Sequence, residues 1–262
     1  MAPRHGKKKV YESSRYVKDI KSADVWSVFK IIADFVQGFD ELGELGPSVT
    51  IFGSARLDEK HPYYQQAMKL SAMLAERGYN IITGGGPGIM EAANRGAYDY
   101  ENVESIGLNI ELASEQQPNP YISKGQRFDY FFSRKVMLVK YSMAYVIFPG
   151  GFGTLDEMFE ALTLIQTRKV WGVRLFVVGT EFYAPLIQFI KEKMLSEGMI
   201  DEKDVRLINL TDDLDFVVQE IEKSLFTQIQ AMEREGLTDT KYYKALASHG
   251  DEARCYAGQG SS

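Results

Sequence analysis

Tyr145-Val146-Ile147-Phe148-Pro149-Gly150-Gly151-Phe152-Gly153-Thr154-Leu155-Asp156-Glu157 passes from an apolar run through a glycine-rich turn into a helical pattern. Val146, Ile147 and Phe148 form a continuous apolar run, as expected of a parallel strand covered on both faces. Beyond the turn, Leu155, Met158, Phe159, Leu162 and Ile165 fall on one helical face, which is expected to lie against the sheet. On the same wheel Glu157 sits away from that stripe, so burial in the sheet contact is not expected.

The same strand–turn–helix pattern recurs outward from this stretch. Strands are expected at Val49–Gly53, Tyr79–Thr83, Ser105–Ile110, Tyr130–Phe132, Tyr145–Phe148, Leu175–Val178 and Arg206–Leu210, with helices at about 62–77, 88–99, 133–142, 154–169, 182–197 and 213–226. The alternation implies an α/β fold: a Rossmann-like, doubly wound parallel sheet with flanking helices and accessory N- and C-terminal helices. Three regions follow. Residues 1–47 hold an irregular arm and an accessory helix, in which Asp24 is a candidate N-cap. There Val25, Trp26, Val28, Phe29, Ile32, Phe35, Val36 and Phe39 are expected to pack on the main body. Residues 48–226 form the central Rossmann-like domain. Residues 227–262 form a polar extension, with Gly258-Gln259-Gly260-Ser261-Ser262 as a disordered end.

The composition narrows the chemistry. Of 262 residues 45% are hydrophobic and 25% charged, as in a soluble globular chain. One cysteine, Cys255, excludes an intrachain disulfide and any cysteine-based zinc cluster. His5, His61 and His249 are scattered, which disfavours a Ser-His-Asp triad or a multi-histidine metal site, although His61 can still serve alone. No metal and no cofactor are expected. Acid–base work falls to the 36 carboxylates. The net charge of -6 argues against a nucleic-acid surface, and the basic Arg4, Lys7, Lys8 and Lys9 read as a solvated arm. No stretch reaches the ~20 apolar residues of a membrane span, and the N-terminus lacks the apolar core of a secretory leader. The expectation is a cytoplasmic chain.

Three turns at strand ends carry candidate binding groups, because ligands of open α/β sheets bind beyond the carboxyl ends of the strands. In Gly53-Ser54-Ala55-Arg56, Ser54 can donate to a ligand, although a plain tight turn is the better reading of that stretch alone. In Thr83-Gly84-Gly85-Gly86-Pro87-Gly88, unobstructed N–H groups at Gly85 and Gly86 suit a phosphate or ribose. Glu91 breaks the G-x-G-x-x-G dinucleotide fingerprint and there is no Walker lysine, so a mononucleotide fits better than NAD or ATP. In the third turn Thr154-x-x-Glu157 reads as a capping box. Capping alone does not call for Pro149, Gly150, Gly151 and Gly153, whereas a phosphate cradle does. Upstream, Arg134 and Lys135 sit in a first helical turn, where cations oppose the macrodipole unless an anion lies nearby.

Taken together, Pro149 through Glu157 and the Arg134-Lys135 pair resemble the LOG family of cytokinin riboside 5'-monophosphate phosphoribohydrolases, formerly labelled lysine decarboxylase-like. The motif P-G-G-x-G-T-x-x-E is matched without departure, and the resemblance runs from about Val49 to Val178. It implies hydrolysis of the N-glycosidic bond of a nucleoside 5'-monophosphate to free base and ribose 5-phosphate. By that resemblance Arg134 and Glu157 are the catalytic pair. Gly150, Gly151, Gly153 and Thr154 hold the phosphate, and Lys135, Thr163 and Glu115 touch substrate. Phe131-Phe132-Ser133 departs from the Met-His-x common before the Arg-Lys pair, which leaves the preferred base open between modified adenine and AMP. The resemblance also implies a homodimer or higher homo-oligomer. A non-catalytic nucleotide or molybdenum-cofactor carrier is the alternative, and a pyridoxal-phosphate decarboxylase built on Lys135 a more distant one.

Overall fold

Seven parallel strands lie in the order β4-β3-β2-β1-β5-β6-β7. They span Ser48–Phe52 (β1), Asn80–Thr83 (β2), Ser105–Ile110 (β3), Lys124–Phe128 (β4), Ala144–Ile147 (β5), Arg174–Val178 (β6) and Ile208–Thr211 (β7). The computed structural model describes residues 25–111 and 117–259, with side chains through Gly250. The chain winds outward from β1 to β4, then crosses back to place β5 on the other side of β1, with Val49 opposite Ala144 and Phe52 opposite Ile147. That reversal opens a crevice at the strands' carboxyl ends.

Successive side chains of a strand point to opposite faces, so each strand supplies two cores. Val49, Ile51, Ile81, Val146 and Phe176 pack under α2 (Pro62–Ala75), α3 (Ile89–Ala97) and α8 (Leu214–Arg234). Phe52, Ile82, Tyr145, Ile147 and Val177 pack under α4 (Phe131–Lys140), α5 (Phe152–Gln166) and α6 (Thr180–Phe189). From α6 the chain continues as a π-helical stretch, Ile190–Leu195, and a short α7, Glu202–Val205. The helix α8 is continuous through residue 226, and α9 (Lys241–Gln259) returns to the body, burying Leu246 and setting His249 edge-on to Tyr79 at 4.8 Å. Gly258 and Gln259 thus end a helix, while residues 260–262 lie outside the described residues. None of the helices among the described residues is long and apolar enough to cross a membrane.

Glycine sets the closest helix contact. A Cβ at Gly96 of α3 would stand 2.2 Å from the Met68 carbonyl oxygen of α2, which cannot yield without moving backbone. Gly96→Ala is expected to cost about 1–3 kcal/mol, the usual toll of overpacking, read as a melting temperature lower by roughly 2–12 °C.

Two expectations are corrected. The residues Tyr130–Phe132 are not a strand: Tyr130 caps α4, and Phe131 and Phe132 begin it. The strand is the polar Lys124–Phe128, an edge strand with alternating exposure, which lacks the apolar run that marks its buried neighbours. The helix starts early because the buried Asp34 carboxylate accepts from the Asp129 and Tyr130 backbone N–H groups, at 3.2 and 3.1 Å, and from the Ser133 hydroxyl at 2.6 Å. A residue some hundred positions upstream thus anchors its start.

The second correction concerns α1 (Val25–Leu42), the helix that carries Asp34. It forms as expected, but of the eight apolar residues expected to pack on the body only Phe35 does so. Ser27, Asp34, Gly38 and Leu42 face the body, whereas Val25, Trp26, Val28, Phe29, Ile32, Val36 and Phe39 are exposed. The candidate cap Asp24 and the basic residues Arg4 and Lys7–Lys9 lie outside the described residues.

Candidate active site

The three glycine-rich turns follow β2, β1 and β5, which are neighbours in the sheet, so sequence-distant loops converge on one crevice. The first turn stitches the other two together. Ser54 donates its backbone N–H to the Pro149 carbonyl at 3.0 Å and accepts from the Ile89 N–H at 2.9 Å. Its hydroxyl accepts from the Arg56 N–H at 3.1 Å. Such close backbone passage needs glycine: a Cβ at Gly88, where φ is +71°, would meet the Ser54 carbonyl oxygen at 2.3 Å.

In the second turn Gly84, not Gly85 or Gly86, lines the cavity. A Cβ on Gly84 would fall 2.3 Å from Nη2 of Arg134, so this glycine makes the room in which the guanidinium lies. Gly85 and Gly86 are buried behind it. The Gly85 N–H donates to the Thr83 hydroxyl at 2.9 Å, and the Gly86 carbonyl accepts from the Asn119 amide at 3.0 Å. Those two glycines shape the loop.

The third turn corrects the capping box. Helix α5 begins at Phe152 with Gly151 as N-cap and no side-chain cap bond, so Thr154 already lies inside the first turn, buried against Gly150. The expected reciprocal bonds between Thr154 and Glu157 do not form, because the helix starts three residues before that register allows. In consequence the N–H groups of Phe152, Gly153 and Thr154 have no acceptor within the helix and gather at its positive end. A Cβ at Gly151 or Gly153 would meet nothing within 4 Å, so packing does not demand glycine at either.

Glu157, one turn further, is half-buried. Burial pushes its carboxyl up to about 7 from 4.5, against the opposing pull of the Lys135 and Arg134 charges. The expectation that Glu157 stays off the sheet holds, yet it is still removed from water by the crevice wall. Arg134 donates from Nε to the Leu108 carbonyl at 2.7 Å. Burial lowers its pKa while the Glu157 charge acts the other way, and the two side chains share the cavity without a contact ion pair. Lys135 turns away: its ammonium pairs with Asp156 at 2.6 Å and Glu160 at 2.8 Å, tying α4 to α5. Burial works to lower its pKa, but the two carboxylates outweigh that and leave it raised. The anions that offset these first-turn cations are therefore partly the protein's own, Asp156 and Glu160 at Lys135 and Glu157 near Arg134.

The cavity has a volume of about 960 Å³, within the range of small-molecule sites. Besides Ser54, Arg134, Gly150, Gly151, Gly153, Thr154 and Glu157 it is lined by Arg56, His61, Tyr63, Met90, Asn109, Phe131, Phe152 and Phe182. Sequence reading assigned no role to most of these. Asn109 had a signal, its place at the carboxyl end of β3; Phe182 and Tyr63 had none, since aromatic residues near helix starts are commonplace. His61 caps α2, its Nδ1 accepting from the Tyr63 N–H at 3.2 Å. Lys135 and Thr163 do not line the cavity; the Thr163 hydroxyl donates to the Phe159 carbonyl at 2.8 Å. Glu115 lies outside the described residues. Among the described residues no three His, Cys, Asp or Glu side chains converge as a metal site would require.

Residues 90–221 match the family model described as "Possible lysine decarboxylase". Over 160 residues the chain is 30% identical to the "Cytokinin riboside 5'-monophosphate phosphoribohydrolase LOG" of Oryza sativa subsp. japonica, spanning 60% of this chain and 64% of that one. Over 194 residues it is 26% identical to the "Pyrimidine/purine nucleotide 5'-monophosphate nucleosidase" of Escherichia coli strain K12, spanning 70% of this chain and 42% of that one. The match thus covers less than two thirds of either relative. The solved molybdenum cofactor carrier protein of Chlamydomonas reinhardtii superposes with a TM-score of 0.51 at 18% identity, covering 69% of this chain and 99% of that one, a likeness of fold.

Proposed function

We propose, given that the chain belongs to the possible lysine decarboxylase (LOG) family, that it hydrolyses the N-glycosidic bond of nucleoside 5'-monophosphates, with cytokinin riboside 5'-monophosphate and AMP as candidate substrates. One observation carries the reading: a desolvated carboxylate and a buried guanidinium face one cavity beside an uncapped, glycine-framed helix N-terminus. The free N–H groups of α5 suit a phosphate. With the phosphate anchored there, the sugar lies within reach of Glu157 one turn along the helix. Breaking a ribosyl bond builds positive charge on the anomeric carbon, which a carboxylate stabilises best where water is excluded. Water adds to that carbon as the C–N bond breaks, and Glu157 takes a proton from the water. The base leaves with the bonding electron pair and takes a proton from solvent, and Glu157 returns the proton it took to solvent, so one water is consumed in all. Arg134, whose Nε is held by Leu108, presents its terminal nitrogens to the substrate.

The family's descriptive label does not fit the site. A pyridoxal-phosphate decarboxylase needs a lysine able to form an imine. No lysine lines the cavity among the described residues, and Lys135 is engaged by two carboxylates.

The test is incubation with AMP and isopentenyl-AMP, with chromatography for free base. Adenine or its derivative and ribose 5-phosphate should appear in equal amounts. Adenosine should react at least ~100-fold more slowly, since the phosphate supplies binding energy remote from the reacting carbon. Monophosphates that bind but stay intact would instead mark a carrier.

A further inference from the structure

We propose that the outer face of α1 is a self-association surface, covered in solution by the same face of a second copy of this chain. Val25, Val28, Phe29, Ile32, Val36 and Phe39 fall within an arc of about 100° on the helix, with Trp26 about 60° beyond it. Val25, Phe29, Ile32, Val36 and Phe39 alternate in steps of four and three, the spacing of a helix–helix seam, and Val28 flanks them. Their exposure runs from 42% at Phe39 to 73% at Trp26. Seven side chains of that size and exposure present several hundred Å² of surface, more than monomers usually leave open and of the order of the ~800 Å² each partner contributes to a standard interface.

The helix cannot turn this stripe inward. Its opposite face is fitted to the body by small and polar groups: Asp34 accepts three hydrogen bonds at the start of α4, and a Cβ on Gly38 would fall 2.8 Å from Cε of Met137. A sequence that spends Ser27, Asp34 and Gly38 on the inner contact and keeps its aromatic residues outside is built for a second partner.

The apolar face also continues onto α4. Lys140 lies 5.7 Å from the Phe39 ring, and Val136 and Phe132 stand one and two turns before it on the same edge, both exposed. Charge selects a second copy over a lipid surface. Within α1 there is one cation, Lys30, against Asp34, Asp40 and Glu41, whereas helices that lie on membranes are rich in lysine and arginine. The arc of six carries no charge, so two copies meet across a two-fold axis without like-charge contact. The surface reaches the helix that carries Arg134, which places association next to the cavity.

Sedimentation velocity on the full chain tests this, comparing wild type with the Phe29→Glu/Ile32→Glu double variant. Wild type should sediment at twice the monomer mass or more at micromolar concentration. The variant should show at most half the wild-type mass with an unchanged far-ultraviolet circular dichroism spectrum, because both side chains are exposed. Should the double variant aggregate, Val36→Glu alone should weaken association at least tenfold. Wild type that is monomeric at tens of micromolar, or variants that keep the wild-type mass, would overturn the proposal. So would monomeric wild type that pellets with anionic phospholipid vesicles.

Discussion

Glu157→Gln should reduce base release by at least about a thousandfold, the scale of a lost acid–base group, and yet stabilise the protein above neutral pH. The two effects share one cause. Burial holds the Glu157 carboxyl at about 7 in the folded chain against 4.5 for the free group. A raised folded-state pKa means that the protonated form favours folding. That contribution is complete below about pH 4.5 and is lost as pH rises through about 7. The full shift is worth about 3 kcal/mol, and the partial exposure of the carboxyl trims it, so wild type should lose roughly 2 kcal/mol across this window, whereas glutamine, neutral throughout, loses none. Thermal melts at pH 5 and pH 8.5 should show the variant matching wild type at the lower pH and exceeding it by roughly 4–8 °C at the higher. The wild-type kcat/KM should climb to a plateau above about pH 7, because the reaction uses the ionised carboxylate. Equal melting curves at both pH values would show that Glu157 is not desolvated. Undiminished activity would remove it from the chemistry.

What the sequence discloses, and what it hides, divides along a physical line. The continuous apolar run Val146–Phe148 is legible as a central strand because both sheet faces bury it, and the glycine turn after it marks the site because so few other reasons exist for that composition. Glu157 is legible as a residue but not as an acid of raised pKa, since its desolvation comes from walls supplied by β1, α4 and α6. Local pattern fails where the environment is one-sided. The polar Lys124–Phe128 strand is an edge and carries no hydrophobic signature. The start of α4 is fixed by Asp34 from a helix far away in the chain. Lys135 follows Arg134 in the sequence, but a step of one residue turns a helical side chain by about 100°, toward Asp156 and Glu160 and away from the crevice. In α1 the apolar period is correctly read as a helix and wrongly oriented, because periodicity shows that a face is buried without showing by what.

The glycines of the third turn permit a sharper separation of folding from binding. Gly150→Ala should destabilise, because its Cβ would lie 2.1 Å from Oγ1 of Thr154 and 3.0 Å from the Ser54 nitrogen, groups that join two turns. Gly151→Ala and Gly153→Ala meet no atom within 4 Å. Alanine at 151 should cost a few tenths of a kcal/mol as a poorer N-cap, and at 153, inside the helix, it should add roughly 0.5–1 kcal/mol of stability. If these glycines serve only the fold, neither variant should alter function. If their bare backbone admits a phosphate, a methyl group at 153 should weaken nucleoside monophosphate binding at least tenfold in a protein that melts higher than wild type. Calorimetric titration with AMP beside a melting curve reads both quantities on one sample. A more stable protein with worse affinity cannot be explained by damage to the fold, so that combination would assign Gly153 to the ligand. Wild-type affinity in Gly153→Ala would move the phosphate away from the start of α5 and leave Arg56 and His61, which also line the cavity, as the groups to test.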